Sequence, residues 1–220
     1  MVVACVSTYD DADVLRGCLE SVVACGLQAL VVDGAYELYS EGEADVSTPR
    51  PALAEATRGL RGVTVVHNSG LWDSEAAKKT SMIRMRCTRY EPGWSLVLDS
   101  DERLETGAGP EAARAWLAEL GDIDFAMVNL YRPDLPHATV GVDLPRLLNT
   151  TRALEFRPPM DYDVWRDGAR VCSPNVESRG ATRAPVDLLR IRHDRHVRSA
   201  ARLARAGRYC VRRREVYGCG

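Results

Sequence analysis

Short apolar runs alternate with helix-like stretches through the first hundred residues, and this alternation constrains the fold more than any other feature. The apolar runs are VVACVS (2–7), ALVVD (29–33), VTVVH (63–67) and SLVLD (95–99). Between the first two runs, apolar residues recur at helical spacing, at Val14, Leu15, Cys18, Leu19, Val22 and Val23. A further helix is predicted from Asp73 to about Cys87. Repeated strand, helix and strand predict a parallel sheet with helices on both faces.

The second half of the chain has a different rhythm. A helix is predicted at about 109–120, followed by the apolar run DFAMVNLY (124–131) and by prolines that separate short strands. The strand VDLLRIRH (186–193) then leads into a last helix from about Asp194 to Arg214. No linker or repeat separates the halves. The sequence therefore predicts one α/β domain over residues 1–220, with a mostly parallel central sheet, a mixed C-terminal part that shares this sheet, and a basic terminal helix.

Composition excludes several classes of protein. Hydrophobic residues make up 45% and charged residues 27% of the chain, which is typical of globular proteins and excludes global disorder and fibrous repeats. No apolar run approaches the ~18 residues of a membrane-spanning helix, and MVVACVSTYD turns acidic where a signal peptide would continue apolar. A cytoplasmic protein without a transmembrane segment is expected. The seven cysteines are scattered and form no C-x-x-C pair, which excludes a disulfide framework and a zinc ribbon.

Basic residues are concentrated near the end of the chain. Residues 179–214 contain twelve arginines and two acidic residues, whereas residues 1–178 carry seventeen basic and twenty-eight acidic side chains. The formal net charge of -2 hides this asymmetry. We therefore expect an anionic partner at the Arg-rich C-terminal helix, such as a phospholipid surface, an acidic protein or a nucleic acid.

The most informative segment is WSLVLDSDERL, in which an apolar strand ends at Asp99 and continues into Ser100, Asp101 and Glu102. Open α/β sheets bind ligands at the carboxyl ends of their strands. Two carboxylates with one residue between them can bind a hard divalent cation, which can also bind a diphosphate. The segment thus indicates a Mg²⁺ or Mn²⁺ site for a phosphorylated ligand, with a solvated acidic loop as the simpler alternative.

Two other kinds of site also end a strand with acidic residues. A Walker B strand is excluded because the chain lacks the phosphate-binding sequence G-x-x-x-x-G-K-[ST]. A haloacid-dehalogenase-type phosphatase uses the first aspartate of a D-x-D sequence as its nucleophile, which would be Asp99 here. That enzyme class normally has the motif on its first strand, and it has Thr or Val where this chain has Arg103. The phosphatase stays open as an alternative.

Four segments together resemble glycosyltransferases of the GT-A fold, and family 2 in particular: VVACVSTYDDADVLRGCLESV, ALVVDGAY, SEAAKKTSMIRM and LVLDSDERL. The resemblance covers about the first 105 residues. It implies that residues 1–105 bind a nucleoside diphosphate sugar, either a UDP- or a GDP-sugar, and that residues 106–220 bind the acceptor. One difference is VVDGAYEL, where the family often has D-D-G-S-x-D; this chain keeps the first aspartate, Asp33.

The resemblance also implies roles for individual residues. The nucleoside would be held by the residues after the first strand, Ser7, Thr8 and Tyr9, and by Asp33. The ribose and a Mn²⁺ or Mg²⁺ ion would lie at Asp99, Ser100 and Asp101, with His193 as a further metal ligand. Lys79 would lie near the diphosphate and offset its charge.

An inverting transfer, which the resemblance implies, needs a base that takes the proton of the acceptor hydroxyl. The segment LEFRPPMDYDVWRDG (154–168) offers Asp161 as the first candidate and Asp163 as the second, beside the aromatic rings of Tyr162 and Trp165. A metal-dependent glycosyltransferase is therefore the predicted function. A noncatalytic module that binds an anionic polymer is a further alternative, and the acceptor, whether glycan, protein, lipid or nucleic acid, is open.

Overall fold

The computed structural model describes residues 1–37, 49–134, 141–158, 162–173, 181–194 and 200–217. The strands are β1 Val2–Thr8, β2 Gln28–Asp33, β3 Val63–His67, β4 Trp94–Asp99, β5 Glu102–Glu105, β6 Phe125–Tyr131, β7 Val142–Asn149, β8 Leu154–Phe156, β9 Val164–Arg166, β10 Ala169–Cys172, β11 Thr182–Arg183 and β12 Arg190–His193. The helices are α1 Ala12–Ala24, α2 Pro51–Thr57, α3 Glu75–Arg89, α4 Pro110–Ala118 and α5 Ala200–Tyr217.

A nine-stranded mixed sheet forms the centre of the protein. Its order is β3-β2-β1-β4-β7-β6-β12-β5, with β11 paired to β6. Strands β3, β2, β1 and β4 pair with one another in parallel, whereas β7 is antiparallel to both β4 and β6. The predicted α/β fold, with a mostly parallel sheet and a mixed second part, is therefore confirmed. Strands from both halves of the chain pair within this one sheet, as the sequence predicted.

The central strands are apolar on both faces because helices or strands cover both sides. In β1, Ala4 and Val6 pack into a core cluster with α1, while Val3 and Cys5 pack into a second cluster with α3. All four side chains are fully buried. This two-sided burial explains why β1, β2 and β4 are continuous apolar runs and not alternating ones.

A separate three-stranded antiparallel sheet, of order β10-β9-β8, packs beside α3 through Phe156 and Val164. It carries the segment in which the sequence predicted the acceptor loop. Thr80 of α3 fixes its position, since the Thr80 hydroxyl donates to the Phe156 carbonyl and accepts from the Phe156 N–H.

The end of the chain differs in detail from the prediction. The strand predicted at 186–193 begins only at Arg190, because residues 186–188 form a turn in which the Leu188 N–H donates to the Pro185 carbonyl. The last helix is described from Ala200 to Tyr217. In the part of the chain that is described, no helix combines the length and the apolar character that crossing a bilayer requires.

Candidate functional site

The carboxyl ends of β1, β2 and β4 meet at one edge of the central sheet. Ser7 pairs with Asp99 across β1 and β4, and Thr8 pairs with Asp33 across β1 and β2. A cavity of about 160 Å³ opens at this edge. Among the residues predicted from the sequence, those that line this cavity are Ser7, Thr8, Tyr9, Asp99, Ser100 and His193.

Asp99 is held by three side chains from other parts of the chain. The Tyr162 hydroxyl donates to Asp99 Oδ2 at 2.8 Å, and Lys79 Nζ lies 3.4 Å from Oδ1. Burial acts to raise the pKa of the Asp99 carboxyl, but the charges of Lys79 and Arg146 outweigh burial and lower this pKa to about 2. Asp99 is therefore an ionised carboxylate at neutral pH.

Asp101 contacts β12, the last strand. His193 Nε2 lies 2.8 Å from Asp101 Oδ2, and the Asp194 N–H donates to the Asp101 carbonyl. Asp101 is 2% exposed, whereas His193 is partly exposed and lines the cavity. The two carboxylates of the D-x-D sequence thus have different surroundings, one at the cavity wall and one behind it.

A buried ion pair between Arg146 and Glu102 contacts the backbone of Asp99. Arg146 Nη2 donates to Glu102 Oε1 at 2.6 Å, and both side chains are 1% exposed. Glu102 Oε2 accepts the backbone N–H of Asp99, so this pair supports the backbone of the site. The charge of Glu102 raises the pKa of Arg146 even though burial opposes it.

The ring of Tyr162 lies between two cations. Lys79 Nζ is 4.0 Å and Arg146 Cζ is 4.3 Å from the ring centroid. Arg146 Nη2 also donates to the Tyr162 hydroxyl oxygen at 3.0 Å. The ring is therefore fixed by two cation–π contacts and two hydrogen bonds. The hydroxyl that reaches Asp99 is oriented before any ligand binds.

The two lysines of the chain have contrasting surroundings, although both are 0% exposed. Lys78 lines the cavity and donates to the carbonyls of Thr8 and Gly34, each at 2.7 Å, which ties the ends of β1 and β2 together. Burial lowers the pKa of Lys78 to about 8. Burial also opposes the charge of Lys79, but Asp99 and Glu75 raise its pKa well above the usual value.

A second, smaller cavity of about 30 Å³ shares Thr8 and Asp11 with the first and is lined by Asp33 and Arg50. Asp33 is 7% exposed, and His67 Nδ1 lies 2.8 Å from its Oδ2. The second cavity lies beside the end of β2. His67 was missed by sequence reasoning, although its position at the end of β3 places it next to Asp33 in the sheet register.

Of the two predicted catalytic bases, the structure describes only Asp163. Asp161 lies outside the described residues. Asp163 is 1% exposed, and its Oδ2 lies 3.4 Å from Arg170 Nη1 across the small sheet. It does not line either of the two cavities at the strand ends. Its role as a base stays a prediction.

The predicted metal ligands have suitable chemistry, because carboxylate and imidazole groups bind Mg²⁺ and Mn²⁺. Their present partners are different, since Asp99 is hydrogen-bonded to Tyr162 and Asp101 contacts His193. Within the described ranges, no three His, Cys, Asp or Glu side chains are arranged so that they could hold a metal ion.

Several residues of the site carry no signal in the local sequence. Arg146 lies within the apolar strand β7, where a charged residue indicates a buried partner without identifying it. Glu75 lies in the first turn of α3, where an acidic residue is common because it interacts favourably with the helix dipole. Its position in the sequence therefore gives no sign of a role in the site. Glu102 and Tyr162 were seen only as neighbours of other candidates.

Comparisons with known proteins give low overall similarity. No protein-family model matches the chain, and no curated protein matches it. Residues 1–349 of S. aureus TarS align with 15% identity and a TM-score of 0.47, covering 68% of this chain and 47% of that one. A second S. aureus TarS structure aligns with 16% identity and a TM-score of 0.46, covering 68% of this chain and 28% of that one. A 4-diphosphocytidyl-2C-methyl-D-erythritol synthase aligns with 14% identity and a TM-score of 0.38, covering 68% of this chain and 75% of that one. This chain spans less than half the length of the two TarS chains.

Proposed function

We propose that this protein is a glycosyltransferase that moves a sugar from a nucleoside diphosphate sugar to an acceptor hydroxyl. The observation that carries the proposal is an ionised carboxylate, Asp99, at a cavity on the carboxyl ends of the parallel strands, with the buried lysines 78 and 79 beside it. Strand ends of this kind are where open α/β sheets bind nucleotides. The resemblance of four sequence segments to GT-A enzymes of family 2 points to the same activity.

The donor would extend over both cavities. A volume of about 160 Å³ is smaller than the roughly 300–1,000 Å³ of typical small-molecule sites, so a whole nucleotide sugar cannot fit in the first cavity alone. Because the two cavities share Thr8 and Asp11, the donor would lie along the strand ends between Asp33 and Asp99, and the cavity walls would move apart to accommodate it. This orientation is part of the proposal.

The reaction is a displacement at the anomeric carbon. The acceptor oxygen forms a bond to this carbon as the bond to the diphosphate oxygen breaks, and the electron pair leaves with the nucleoside diphosphate. The acceptor proton goes to a carboxylate, for which Asp161 and Asp163 stay the proposed candidates. Lys78 and Lys79 offset the charge of the departing diphosphate.

A requirement for Mn²⁺ or Mg²⁺ is also proposed, with Asp99, Asp101 and His193 as ligands. A bound dication would supply positive charge at the diphosphate. Because these side chains are engaged with each other and with Tyr162, binding the cation requires them to exchange partners. The acceptor, and an anionic partner at the Arg-rich helix, are not specified by the site.

Calorimetry with UDP- and GDP-sugars, each with Mn²⁺ and with EDTA, tests the proposal. We expect cation-dependent binding that is lost in Asp101→Ala. Asp122→Ala is the matched control, because Asp122 has a side chain that is 84% exposed at the opposite end of the sheet strands. Unchanged binding in Asp101→Ala would contradict the assigned site. Trapping of a phosphoryl group on Asp99 would instead support the phosphatase.

A further inference from the structure

The C-terminal helix α5 forms one wall of the cavity of about 160 Å³ at the strand ends. Ala206, Tyr209 and Cys210 line this cavity together with Tyr9 and Asp99. The sequence predicted a basic helix with an anionic partner. The residues of this helix that line the cavity are uncharged, in contrast to its many arginines.

A small apolar cluster holds the helix in this position. Ala206, which is 6% exposed, packs with Tyr9, Ala35 and Tyr36 in a cluster distinct from the two main cores, and Tyr209 packs against it. The rings of Tyr36 and Tyr209 meet edge to face with centroids 5.4 Å apart. The described contacts of α5 are thus concentrated around the cavity.

A polar chain continues from the helix to Asp99. Tyr209 and Tyr36 both donate hydroxyl hydrogen bonds to Glu75 Oε2, at 3.2 and 3.4 Å. The other oxygen, Oε1, accepts from Lys79 Nζ at 2.7 Å, and Lys79 in turn lies 3.4 Å from Asp99. Glu75 therefore contacts the helix with one oxygen and the charged centre of the site with the other.

We propose that α5 belongs to the donor-binding site, with Tyr209 as a residue that contacts the bound nucleoside diphosphate sugar and Glu75 as the residue that positions both Tyr209 and Lys79. This inference rests on the proposed function. Because the cavity lies between α5 and the strand ends, a ligand that fills it contacts both. Ligand binding and docking of the helix then stabilise each other.

Among the described residues, two exposed cysteines allow a direct test in the intact protein. Cys210 lines the cavity, whereas Cys87 lies on the outer part of α3 and serves as an internal control. Maleimide labelling, followed at each cysteine by mass spectrometry, is measured with and without saturating UDP or GDP. We expect nucleotide to slow labelling of Cys210 about tenfold or more and to leave Cys87 unchanged.

The outcomes separate the inference from the proposed function. Nucleotide binding in calorimetry together with unchanged labelling of Cys210 would overturn the inference alone. Failure of any nucleotide to bind would overturn the proposed function, and the inference with it.

Variants of the helix give a second test. Tyr209→Ala removes the ring and the hydroxyl, so we expect it to weaken nucleotide binding about tenfold and to speed labelling of Cys210 without nucleotide. Tyr209→Phe keeps the ring and should recover much of both effects. Leu203→Ala is the control, because Leu203 is 37% exposed and does not line the cavity. Equal nucleotide affinity in Tyr209→Ala and Leu203→Ala would overturn the inference.

Discussion

Lys78 and Lys79 are adjacent in the sequence but differ in what neutralises their charge. Lys78 donates to two neutral carbonyls, whereas Lys79 contacts the carboxylates of Glu75 and Asp99. Because they are the only lysines in the chain, NMR of labelled lysine side chains resolves them without ambiguity. We expect Lys78 to titrate near pH 8 and Lys79 to stay protonated at pH 10.5. Two lysines that titrate together near 10.5 would contradict the described burial.

The titration of Lys78 also sets the sign of a stability change. Between pH 8 and pH 10.5 the unfolded chain keeps a proton on Lys78 that the folded chain has released. The unfolded state therefore binds more protons, and the contribution of Lys78 to the free energy of unfolding becomes more favourable as pH rises through this window. Urea unfolding at several pH values measures this slope.

Tyr162 connects the small sheet to the candidate site, and its hydroxyl orients Asp99. Tyr162→Phe keeps the ring between its two cations but removes a hydrogen bond to a charged carboxylate, so we expect nucleotide affinity to fall about tenfold. Tyr131→Phe is a matched control, since its hydroxyl donates to Glu105 at 2.7 Å and Arg190 lies over its ring, away from the cavity. Calorimetry that finds the same affinity in both variants would contradict the role of Tyr162.

At the scale of elements, the ion pair of Glu102 and Arg146 joins β5 to β7, which are not neighbours in the sheet. Arg146→Met leaves the Glu102 carboxylate buried without its cation, which costs about 3–5 kcal/mol of the free energy of unfolding. Adding Glu102→Gln removes the unpaired buried charge and should recover part of the lost free energy of unfolding. Arg58→Met is the control, because its pair with Glu55 is exposed and contributes about 0–1 kcal/mol. Urea unfolding measures the free energy of unfolding of the unaltered protein, of Arg146→Met, of the double variant and of Arg58→Met. A double variant as unstable as Arg146→Met would contradict the explanation that the loss comes from the unpaired charge of Glu102.

The elements themselves were largely predictable, because each depends on local periodicity. The strands at 29–33, 63–67 and 95–99 fall within one residue of β2, β3 and β4. The strand at 186–193 was predicted too long because Val186, Leu188 and Leu189 continue the apolar pattern through the turn at 186–188. A short apolar pattern does not distinguish a turn from a strand.

At the scale of the whole molecule, the Arg-rich end of α5 extends beyond the docked part of the helix. The three arginines of this end, Arg212, Arg213 and Arg214, lie within about one turn after Cys210. Their replacement by serine should lower the salt concentration at which the protein leaves a heparin column. The control replaces the exposed arginines 58, 61 and 84 by serine, which changes the net charge equally. Equal elution of the two variants would indicate that total charge, and not the helix end, governs anion binding.

The sequence by itself determined the order of strands and helices and the edge of the sheet where polar residues gather, because periodicity and strand ends are local properties. Only the tertiary structure decided which charges are buried together and what covers the cavity. Arg146 and Glu102 are 44 residues apart, and Tyr209 and Glu75 are 134 apart. Contacts of this kind depend on how distant segments pack, and so no local pattern contains them.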